Sequence, residues 1–338
     1  MYGLYDKKNL NLIILKILWE HTDENHRLMQ QEVRELVKLE YGLEIDRRSV
    51  KNNMEALQDM FTNTELEISM ENGYCLLSRD FTDAELRMLI DSVLFSHTLP
   101  KKQVKDLVGK LKRLSSKYFS SKVSHISNLP DLRYADQGQP VLYNLDILHD
   151  AISENKKISF TYNSFGTDFK LHPRRETPYI ASPYQMVTSS GRYYLICNFS
   201  GHDNLANIRI DKMSDINILQ EKRAGKDEVP ELLGGLSLPK HMAEHIYMFS
   251  GKSVNVIFEC DAFLMDALVD WFGKEFHILE RQDEKLKVRV ICNEKAFHFW
   301  ALQYGAYVEV LEPASLREQV REKVAEMAKK YELTGGVK

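Results

Sequence analysis

The sequence has few cysteines and none of the spacings that bind zinc or carry thiol redox chemistry. Its 338 residues contain four, and they stand far apart: Cys75, Cys197, Cys260 and Cys292. No two of them form a C-x-x-C pair, which argues against zinc-ribbon and thioredoxin-type motifs. Each lies in an apolar or strand-like stretch, so we expect four buried, reduced thiols.

Long apolar runs are also missing. The sequence has no run of 18 apolar residues, so we expect no membrane span. Residues 1–11 are polar and lack the apolar core of a signal peptide. We therefore expect a cytoplasmic protein.

Motifs of the common enzyme classes are absent from the sequence. It has no G-x-S-x-G, no glycine-rich phosphate loop followed by Lys-Ser/Thr and no H-E-x-x-H. His241 and His245 stand four residues apart on a plausible helix, a spacing that can bind a metal ion. Because the sequence indicates no third ligand, we expect both on a solvated helix face. We expect no enzymatic activity, no metal and no cofactor.

An excess of positive charge is missing as well. The net charge is −4 at pH 7, so no global basic field indicates a nucleic-acid-binding protein. A regulator that contacts DNA through one small face does not need such a field. The length and the ordinary apolar content indicate a multidomain α+β protein of two or three domains.

Residues 1–80 predict three helices followed by a β-hairpin. Apolar residues at helical spacing predict helices over residues 10–19, 29–40 and 47–60. Asp46 is a good N-cap for the third helix. Asn72-Gly73 between two short strands is a strong hairpin signal. This order is typical of a winged helix-turn-helix domain.

The third predicted helix is the candidate DNA-recognition element. Its apolar stripe is Val50, Met54, Leu57 and Met60. The residues that suit DNA lie outside that stripe: Arg47, Arg48, Ser49, Lys51, Asn52 and Asn53. Arginine suits guanine, asparagine suits adenine, and lysine and serine suit phosphate, so the set predicts contact with double-stranded DNA. The alternative is a solvated face on a structural unit, which the acidic excess over residues 1–80 favours.

Residues 81–139 are predicted to form a helical linker. Thr82 and Glu85 have the spacing of a capping box that opens a helix. A second, strongly basic amphipathic helix is predicted over residues 101–118. We expect this helix either to lie along DNA phosphates or to pair two copies of the chain in a homodimer. The second alternative is favoured. Residues 120–138 have little periodicity and are the best candidate for a linker.

Residues 140–222 predict a helix and about five short strands, which favours a small closed barrel. The clearest element is a hairpin over residues 184–197 with its turn at 189–191. Strand alternation puts Tyr193 and Tyr194 on opposite faces, so only one of them can line a pocket.

Residues 240–333 predict the order βαββαβ and a last helix, which is typical of a ferredoxin-like sandwich. Ser315 and Glu318 have the spacing of a capping box at the start of that helix. Trp271 and Trp300 are expected in the core.

The chain resembles the WYL-domain transcriptional regulators, which consist of a winged helix-turn-helix, a WYL domain and a C-terminal WCX domain. The motifs that carry the resemblance are Tyr193-Tyr194-Leu195 for the namesake Trp-Tyr-Leu, Ser182-Pro183-Tyr184, and Arg209-Ile210-Asp211-Lys212 for Arg-Leu-Asp-Arg. The tract from Phe299 to Pro313 is similar to the WCX extension. The resemblance implies an Sm-like, SH3-type barrel with a basic pocket for a regulatory ligand. It also implies a WCX domain that contributes dimer contacts and closes over that pocket.

The candidate ligand-binding residues are Tyr184, Arg192, Tyr194, Arg209, Lys212 and His172. Cations for phosphate and aromatic faces for bases suit a nucleotide or single-stranded nucleic acid. The alternative is that the tyrosines are core residues and that Arg209 and Asp211 form a structural ion pair. We expect a ligand-responsive DNA-binding regulator. The second hypothesis is a nucleic-acid-binding accessory of an antiviral defence system that acts through the barrel.

Overall fold

The computed structural model describes residues 9–62, 67–96, 99–122 and 141–332. The chain divides into two compact units, Met1–Gly138 and Gln139–Lys338, which we call unit 1 and unit 2. The predicted linker over residues 120–138 lies outside the described residues from residue 123 onward.

The described part of unit 1 consists of helices, one short hairpin and the turns that connect them. Its described elements are α1 (Leu10–His21), α2 (Gln30–Tyr41), α3 (Arg47–Phe61), β1 (Ile68–Ser69), β2 (Cys75–Leu76), α4 (Asp83–Phe95), α5 (Lys101–Lys112) and α6 (Lys117–Lys122). The three predicted helices and the hairpin that follows them are thus confirmed. Apolar side chains of α1, α2, α3 and the hairpin share one core, which includes Ile17, Val33 and Met54.

Local sequence signals set the ends of these elements. The Asp46 carboxylate accepts the backbone N–H of Ser49 at 2.7 Å and caps α3, as predicted. The hairpin turns at Asn72 and Gly73, both with positive φ. A side chain at Gly73 would meet the Leu28 carbonyl oxygen at 3.3 Å, so glycine also allows a close backbone approach there. Thr82 and Glu85 form the predicted capping box of α4.

The prediction of one continuous helix over residues 101–118 is wrong. The structure has α5 and α6 there, separated by a turn at residues 113–116. The hydroxyls of Ser115 and Ser116, both buried, donate to the carboxylates of Asp83 and Asp23, each at 3.2 Å. Serine offers such alternatives to helical backbone bonding, which explains why the apolar period alone overestimated the helix.

Unit 2 begins with a helix on a curled antiparallel sheet. The elements are α7 (Val141–Ser153), β3 (Lys156–Phe165), β4 (Leu171–Pro173), β5 (Tyr179–Ser189), β6 (Arg192–Phe199), β7 (Ala206–Arg209) and β8 (Met213–Lys222). The strands follow the order β4-β3-β5-β6-β7, and β8 pairs with β3. The core between helix and sheet includes Leu148, Phe160, Leu195 and Met213.

The predicted hairpin over residues 184–197 is confirmed as β5 and β6. The two strands join through Ser190 and Gly191, which have φ of 47° and 71°, as a tight hairpin turn requires. Tyr193 packs against the core of the sheet. Tyr194 pairs with Val187 on β5 and with Arg209 on β7, and alternation puts its side chain on the opposite face.

The rest of unit 2 is a second α+β layer. Its elements are α8 (Leu238–Glu244), β9 (Ser253–Asp261), α9 (Met265–Phe272), β10 (Phe276–Gln282), β11 (Lys285–Asn293), α10 (Glu294–Gln303), β12 (Val308–Glu312) and α11 (Ala314–Lys330). The antiparallel strand order is β10-β11-β9-β12. Trp300 is fully buried in the core, and Trp271 packs against it partly exposed. None of the helices described is both long enough and apolar enough to traverse a lipid bilayer.

Two expectations for this layer are wrong. Pro313 takes the N-cap position of α11, which has no side-chain cap, so Ser315 lies inside the first turn and forms no capping box. Glu318 instead accepts from Arg321 at 2.6 Å. His241 and His245 do not lie on a solvated face, because they are 5% and 1% exposed. Burial and the neighbouring His245 lower the pKa of His241 to about 3.

Candidate functional site

A short turn at the end of β7 positions the candidate ligand site. Ile210, fully buried, anchors this turn in the core. The side-chain amide of Asn163 on β3 donates to the carbonyl oxygen of Lys212 and to the hydroxyl of Ser214, both at 3.1 Å. Asn163 is itself buried, so these bonds fix the turn to the neighbouring strand.

Arg209 and Asp211 form a bidentate ion pair across this turn. The guanidinium Nε and Nη2 donate to the two carboxylate oxygens at 3.0 and 2.6 Å. Burial disfavours the charge on Arg209, but the bonds to Asp211 outweigh it and raise the pKa of the guanidinium. Such two-bond pairs hold the guanidinium in one plane. The ion pair that the sequence left as an alternative is therefore present.

Positive charge is concentrated around this pair. Burial, followed by the charge of Arg209, lowers the pKa of Lys212. The Asp211 carboxylate opposes this shift, and the charges of Arg174 and Arg192 add to it. Three arginines and the Asp211 carboxylate thus lie close enough to Lys212 to affect the charge of its ammonium group. We call Arg174, Arg192, Arg209, Lys212, Asp211, Tyr162 and Tyr194 the basic cluster. A bound anion would relieve the repulsion among its cations.

Aromatic rings support the cations of the basic cluster. The Arg174 guanidinium lies 4.9 Å from the centre of the Tyr162 ring, and the Lys212 ammonium 5.8 Å from the centre of the Phe165 ring. Tyr194 lies directly opposite Arg209 in the strand register. Burial raises the pKa of the Tyr162 and Tyr194 hydroxyls, so both remain neutral donors at physiological pH.

The guanidinium of Arg192 has one nitrogen without a hydrogen-bond partner among the described residues. This nitrogen, Nε, is buried. An unpaired buried donor costs about 1–3 kcal/mol, so native proteins leave few of them unexplained. An anion bound at the basic cluster would give this N–H an acceptor.

The structure brings together four of the six predicted ligand residues, Arg192, Tyr194, Arg209 and Lys212. Tyr184 belongs to a separate apolar cluster with Ile196 and Leu205, and its hydroxyl donates to the Ala224 carbonyl at 3.0 Å. The exposed imidazole of His172 pairs with the Asp168 carboxylate at 2.9 Å. The predicted set left out Tyr162 and Asn163, whose proximity to the site arises only when β3 pairs with its neighbours.

The predicted DNA-contacting residues occupy the first two turns of α3. Arg47, Arg48, Lys51 and Asn52 are exposed, whereas Ser49 and Asn53 are partly buried. The amide of Asn53 donates to the Ser49 carbonyl at 2.7 Å, and Lys51 pairs with Glu55 at 3.5 Å. Met60, predicted to be buried, is 62% exposed, because Phe61 and not Met60 continues the apolar stripe of α3 into the core.

Two family models match unit 2. The model of the WYL domain matches residues 143–218, a range that contains the whole basic cluster. The model of the WCX domain matches residues 254–328, from β9 into α11.

Among individual proteins, the chain is similar to the "Uncharacterized HTH-type transcriptional regulator YobV" of Bacillus subtilis (strain 168). The two are 25% identical over 183 residues, which are 54% of this chain and 54% of that protein. The match thus spans about half the length of that relative.

Two solved structures are also similar. One is proteasome accessory factor B/C of Arthrobacter aurescens, at 14% identity and a TM-score of 0.31, covering 96% of this chain and 49% of that one. The other is a CRISPR Cas-related protein, at 14% identity and a TM-score of 0.37, covering 89% of this chain and 77% of that one. TM-scores this low carry no structural argument. The family models show that the chain contains a WYL domain followed by a WCX domain.

Proposed function

We propose that this protein is a transcriptional regulator that binds double-stranded DNA through α3 and senses an anionic ligand at the basic cluster. The observation that carries the proposal is the concentration of Arg174, Arg192, Arg209 and Lys212 around a single turn inside the WYL domain. The similarity to an HTH-type transcriptional regulator supports the DNA-binding half.

The DNA-binding half rests on unit 1. Residues 1–80 form a winged helix-turn-helix in this proposal, with α3 as the recognition helix and the β1–β2 hairpin as the wing. The exposed side chains of Arg47, Arg48 and Asn52 are of the types that read guanine and adenine. Lys51 contacts phosphate once it leaves Glu55.

The ligand-binding half of the proposal rests on the positive charge of the basic cluster. Four cations face one carboxylate in the basic cluster, and the Nε of Arg192 lacks an acceptor in the described part of the chain. Because Tyr194 is 9% exposed, it offers the ligand a hydroxyl or a ring edge and not an open face. This favours a phosphate group, as in a nucleotide, over the stacking of several bases.

The remaining organisation completes the proposal. Residues 81–139 form a helical linker that pairs two copies of the chain, and residues 140–222 form an Sm-like barrel. Residues 240–333 form a ferredoxin-like domain, and the strand order β10-β11-β9-β12 supports this last assignment. A ligand would act by binding one arrangement of the homodimer more tightly than another. Light scattering of the purified chain tests the dimer.

The DNA-binding half is tested with the duplex upstream of the protein's own gene. We expect binding that weakens steeply with salt. The double variant Arg47→Ala/Arg48→Ala should lose it. The control Lys16→Ala/Lys38→Ala removes two positive charges from α1 and α2 and should retain most of it. Equal losses in both variants would contradict a recognition role for α3.

The ligand half is tested with ADP as the probe. Arg209→Ala should retain the basal affinity for the duplex and lose the change in affinity that ADP causes. The conservative variant Arg209→Lys keeps the charge and loses the two-bond geometry, so it should respond weakly. A full response in Arg209→Ala would contradict the proposed site.

The second candidate function is a nucleic-acid-binding accessory that acts through the WYL domain. The pairing of Arg174 with Tyr162 and of Lys212 with Phe165 favours it, because cations beside aromatic rings suit single strands. Tight binding of single-stranded DNA or RNA that Arg209→Ala weakens, without any binding to the duplex, would support this candidate over the regulator.

A further inference from the structure

Three metal-ligating side chains converge on one point beside β7. Glu231 lies in a short 3₁₀ turn, His241 in α8, and His245 directly after α8. A carboxylate oxygen and one ring nitrogen from each histidine all lie within 4.8 Å of one another. The two imidazole rings stack with their centres 4.1 Å apart.

We propose that Glu231, His241 and His245 bind a divalent transition-metal ion of the zinc type. The site is separate from the basic cluster, and it reverses the expectation from sequence that no third ligand accompanies the histidine pair.

Hydrogen bonds on the far side of each ring fix which nitrogen faces the site. The Nε2 of His241 lies 2.9 Å from the Oδ1 of Asn207, whose amide nitrogen is directed to the Phe249 carbonyl at 3.5 Å. Nε2 therefore carries the proton, and the lone pair of Nδ1 points to Glu231. The Nδ1 of His245 lies 3.1 Å from the His241 carbonyl and must donate to it. The lone pair of its Nε2 is left on the side of Glu231 as well.

The resulting arrangement contains three acceptors and no proton among them. His241 Nδ1 and His245 Nε2 each lie 3.9 Å from the same oxygen, Oε1 of Glu231. At this distance no hydrogen bond forms, since N–H···O bonds span about 2.7–3.2 Å. Two lone pairs and a carboxylate oxygen that face one another repel unless a cation lies between them.

His245 supplies the independent observation. It is 1% exposed, and its Nε2 has no hydrogen-bond partner among the described residues. A buried acceptor without a partner is unfavourable, whereas a metal ion would satisfy it directly.

The dimensions fit a small ion once the three ligands move closer together. Ligands about 2.0–2.1 Å from zinc in a tetrahedron lie about 3.4 Å apart, so the two 3.9 Å nitrogen–oxygen separations must close by about half an ångström. The two ring nitrogens lie within 4.8 Å of each other and must close by at most about 1.4 Å. Glu231 is the exposed member of the three and gives the ion a path of entry. Two neutral imidazoles and a carboxylate suit zinc and its neighbours rather than calcium or magnesium.

The surroundings provide the outer hydrogen bonds that metal ligands require. Asn207 orients His241, and the second carboxylate oxygen of Glu231 accepts the backbone N–H of Leu205. Residue 205 immediately precedes β7, and Asn207 lies within it. An ion held here would therefore fasten the start of β7 to α8.

Zinc added to the metal-free chain of 338 residues tests the proposal. We expect calorimetry and elemental analysis to give one tightly bound ion per chain and a higher melting temperature. Glu231→Gln keeps the shape of the side chain and removes its charge. That variant and His245→Ala should each lose at least about 100-fold in affinity, because even an outer-shell loss costs about 10–100-fold.

Matched histidine variants separate this site from adventitious binding. His149→Ala and His202→Ala remove exposed histidines of unit 2 and should bind zinc as the unaltered chain does. His21→Ala disrupts the cluster of Glu20, His21 and Glu40 in unit 1, where His21 already pairs with Glu40 at 2.7 Å. This variant should also bind zinc as the unaltered chain does.

Cobalt gives a readout that does not depend on the folding of a variant. Cobalt bound to the unaltered chain should show the absorption of nitrogen and oxygen ligands without thiolate charge transfer. The proposal is overturned if the unaltered chain binds no zinc, if folded Glu231→Gln binds it equally well, or if His21→Ala abolishes binding.

Discussion

Replacing Asp211 with asparagine should weaken the fold and strengthen anion binding at the same time. The carboxylate has two effects in the basic cluster. It holds Arg209 through two bonds of 3.0 and 2.6 Å, and its charge opposes any anion that approaches Lys212 and Arg209. Asparagine keeps the shape and one acceptor oxygen, so Arg209 stays near its place while the negative charge is lost.

The expected loss of stability follows from how far the pair is buried. The side chains of Arg209 and Asp211 are 26% and 16% exposed. Exposed pairs contribute about 0–1 kcal/mol, whereas breaking a fully buried pair costs about 3–5 kcal/mol. For a pair between these limits, with one bond retained, we expect the free energy of unfolding to fall by about 2 kcal/mol.

The expected gain in affinity follows from the charge that is removed. An anion bound by Arg209 would lie about 6 Å from the carboxylate position, and an effective dielectric constant between 20 and 80 suits this half-exposed site. At about 40, one unit charge is worth about 1.4 kcal/mol, or about tenfold in the dissociation constant. Part of this gain is lost as Arg209 becomes less ordered, so we expect about three- to tenfold.

The measurement combines denaturation with anion binding. Thermal unfolding followed by circular dichroism reports stability. Fluorescence anisotropy of a labelled oligothymidylate reports binding, in the Arg47→Ala/Arg48→Ala background to silence α3. Asp215→Asn is the matched control, since it removes the same charge from an exposed residue of β8 whose carboxylate accepts the Ser214 hydroxyl. If Asp211→Asn is as stable as the parent and binds no more tightly, Asp211 does not restrain the basic cluster.

Three further predictions concern other parts of the chain. Asn163→Ala should lower the free energy of unfolding of unit 2 by about 1–3 kcal/mol and weaken anion binding, because the Lys212 carbonyl and the Ser214 hydroxyl lose a buried donor. Chemical denaturation measures the first effect, and the same anisotropy assay measures the second. Thr82→Ala should destabilise unit 1 by about 1 kcal/mol through loss of the capping box, measured by chemical denaturation, and Thr82→Ser should restore most of it. Burial raises the pKa of Cys197 to about 12 and of Cys260 to about 11, and all four thiols are buried. Alkylation at pH 8 followed by mass spectrometry should therefore label the folded chain slowly and the unfolded chain at four sites. Rapid labelling of the folded chain would contradict this prediction.

Elements that are determined by interactions within a few residues of the chain could be predicted from the sequence. The β5–β6 hairpin is fixed by a two-residue turn between β-branched and aromatic runs. The N-cap Asp46 and the capping box of Thr82 act over three residues, and both were predicted correctly. Ser315 shows the limit of such reasoning. Its spacing to Glu318 fits a capping box, but Pro313 takes the N-cap position first.

Features that depend on distant contacts could not be predicted in this way. The spacing of His241 and His245 correctly placed them together, yet nothing local indicated that they are buried or that Glu231 faces them. Tyr184 and Tyr194 look equivalent in sequence. Strand register places one beside Arg209, whereas the other packs against Leu205 in a separate cluster. Charge types were thus readable from the sequence, but their grouping required the pairing of β3, β6 and β7.

The two proposed sites share one strand. Asn207, which orients His241, and Arg209, which belongs to the basic cluster, are alternate residues of β7 and therefore point to the same face. A metal ion that fastens the start of β7 would restrict the backbone that presents Arg209. If an anion also prefers that restricted backbone, each ligand must tighten the other by the same factor, because coupling between two sites is reciprocal. The factor by which anion changes the affinity for zinc must then equal the factor by which zinc changes the affinity for anion. If neither affinity changes, β7 holds two independent sites.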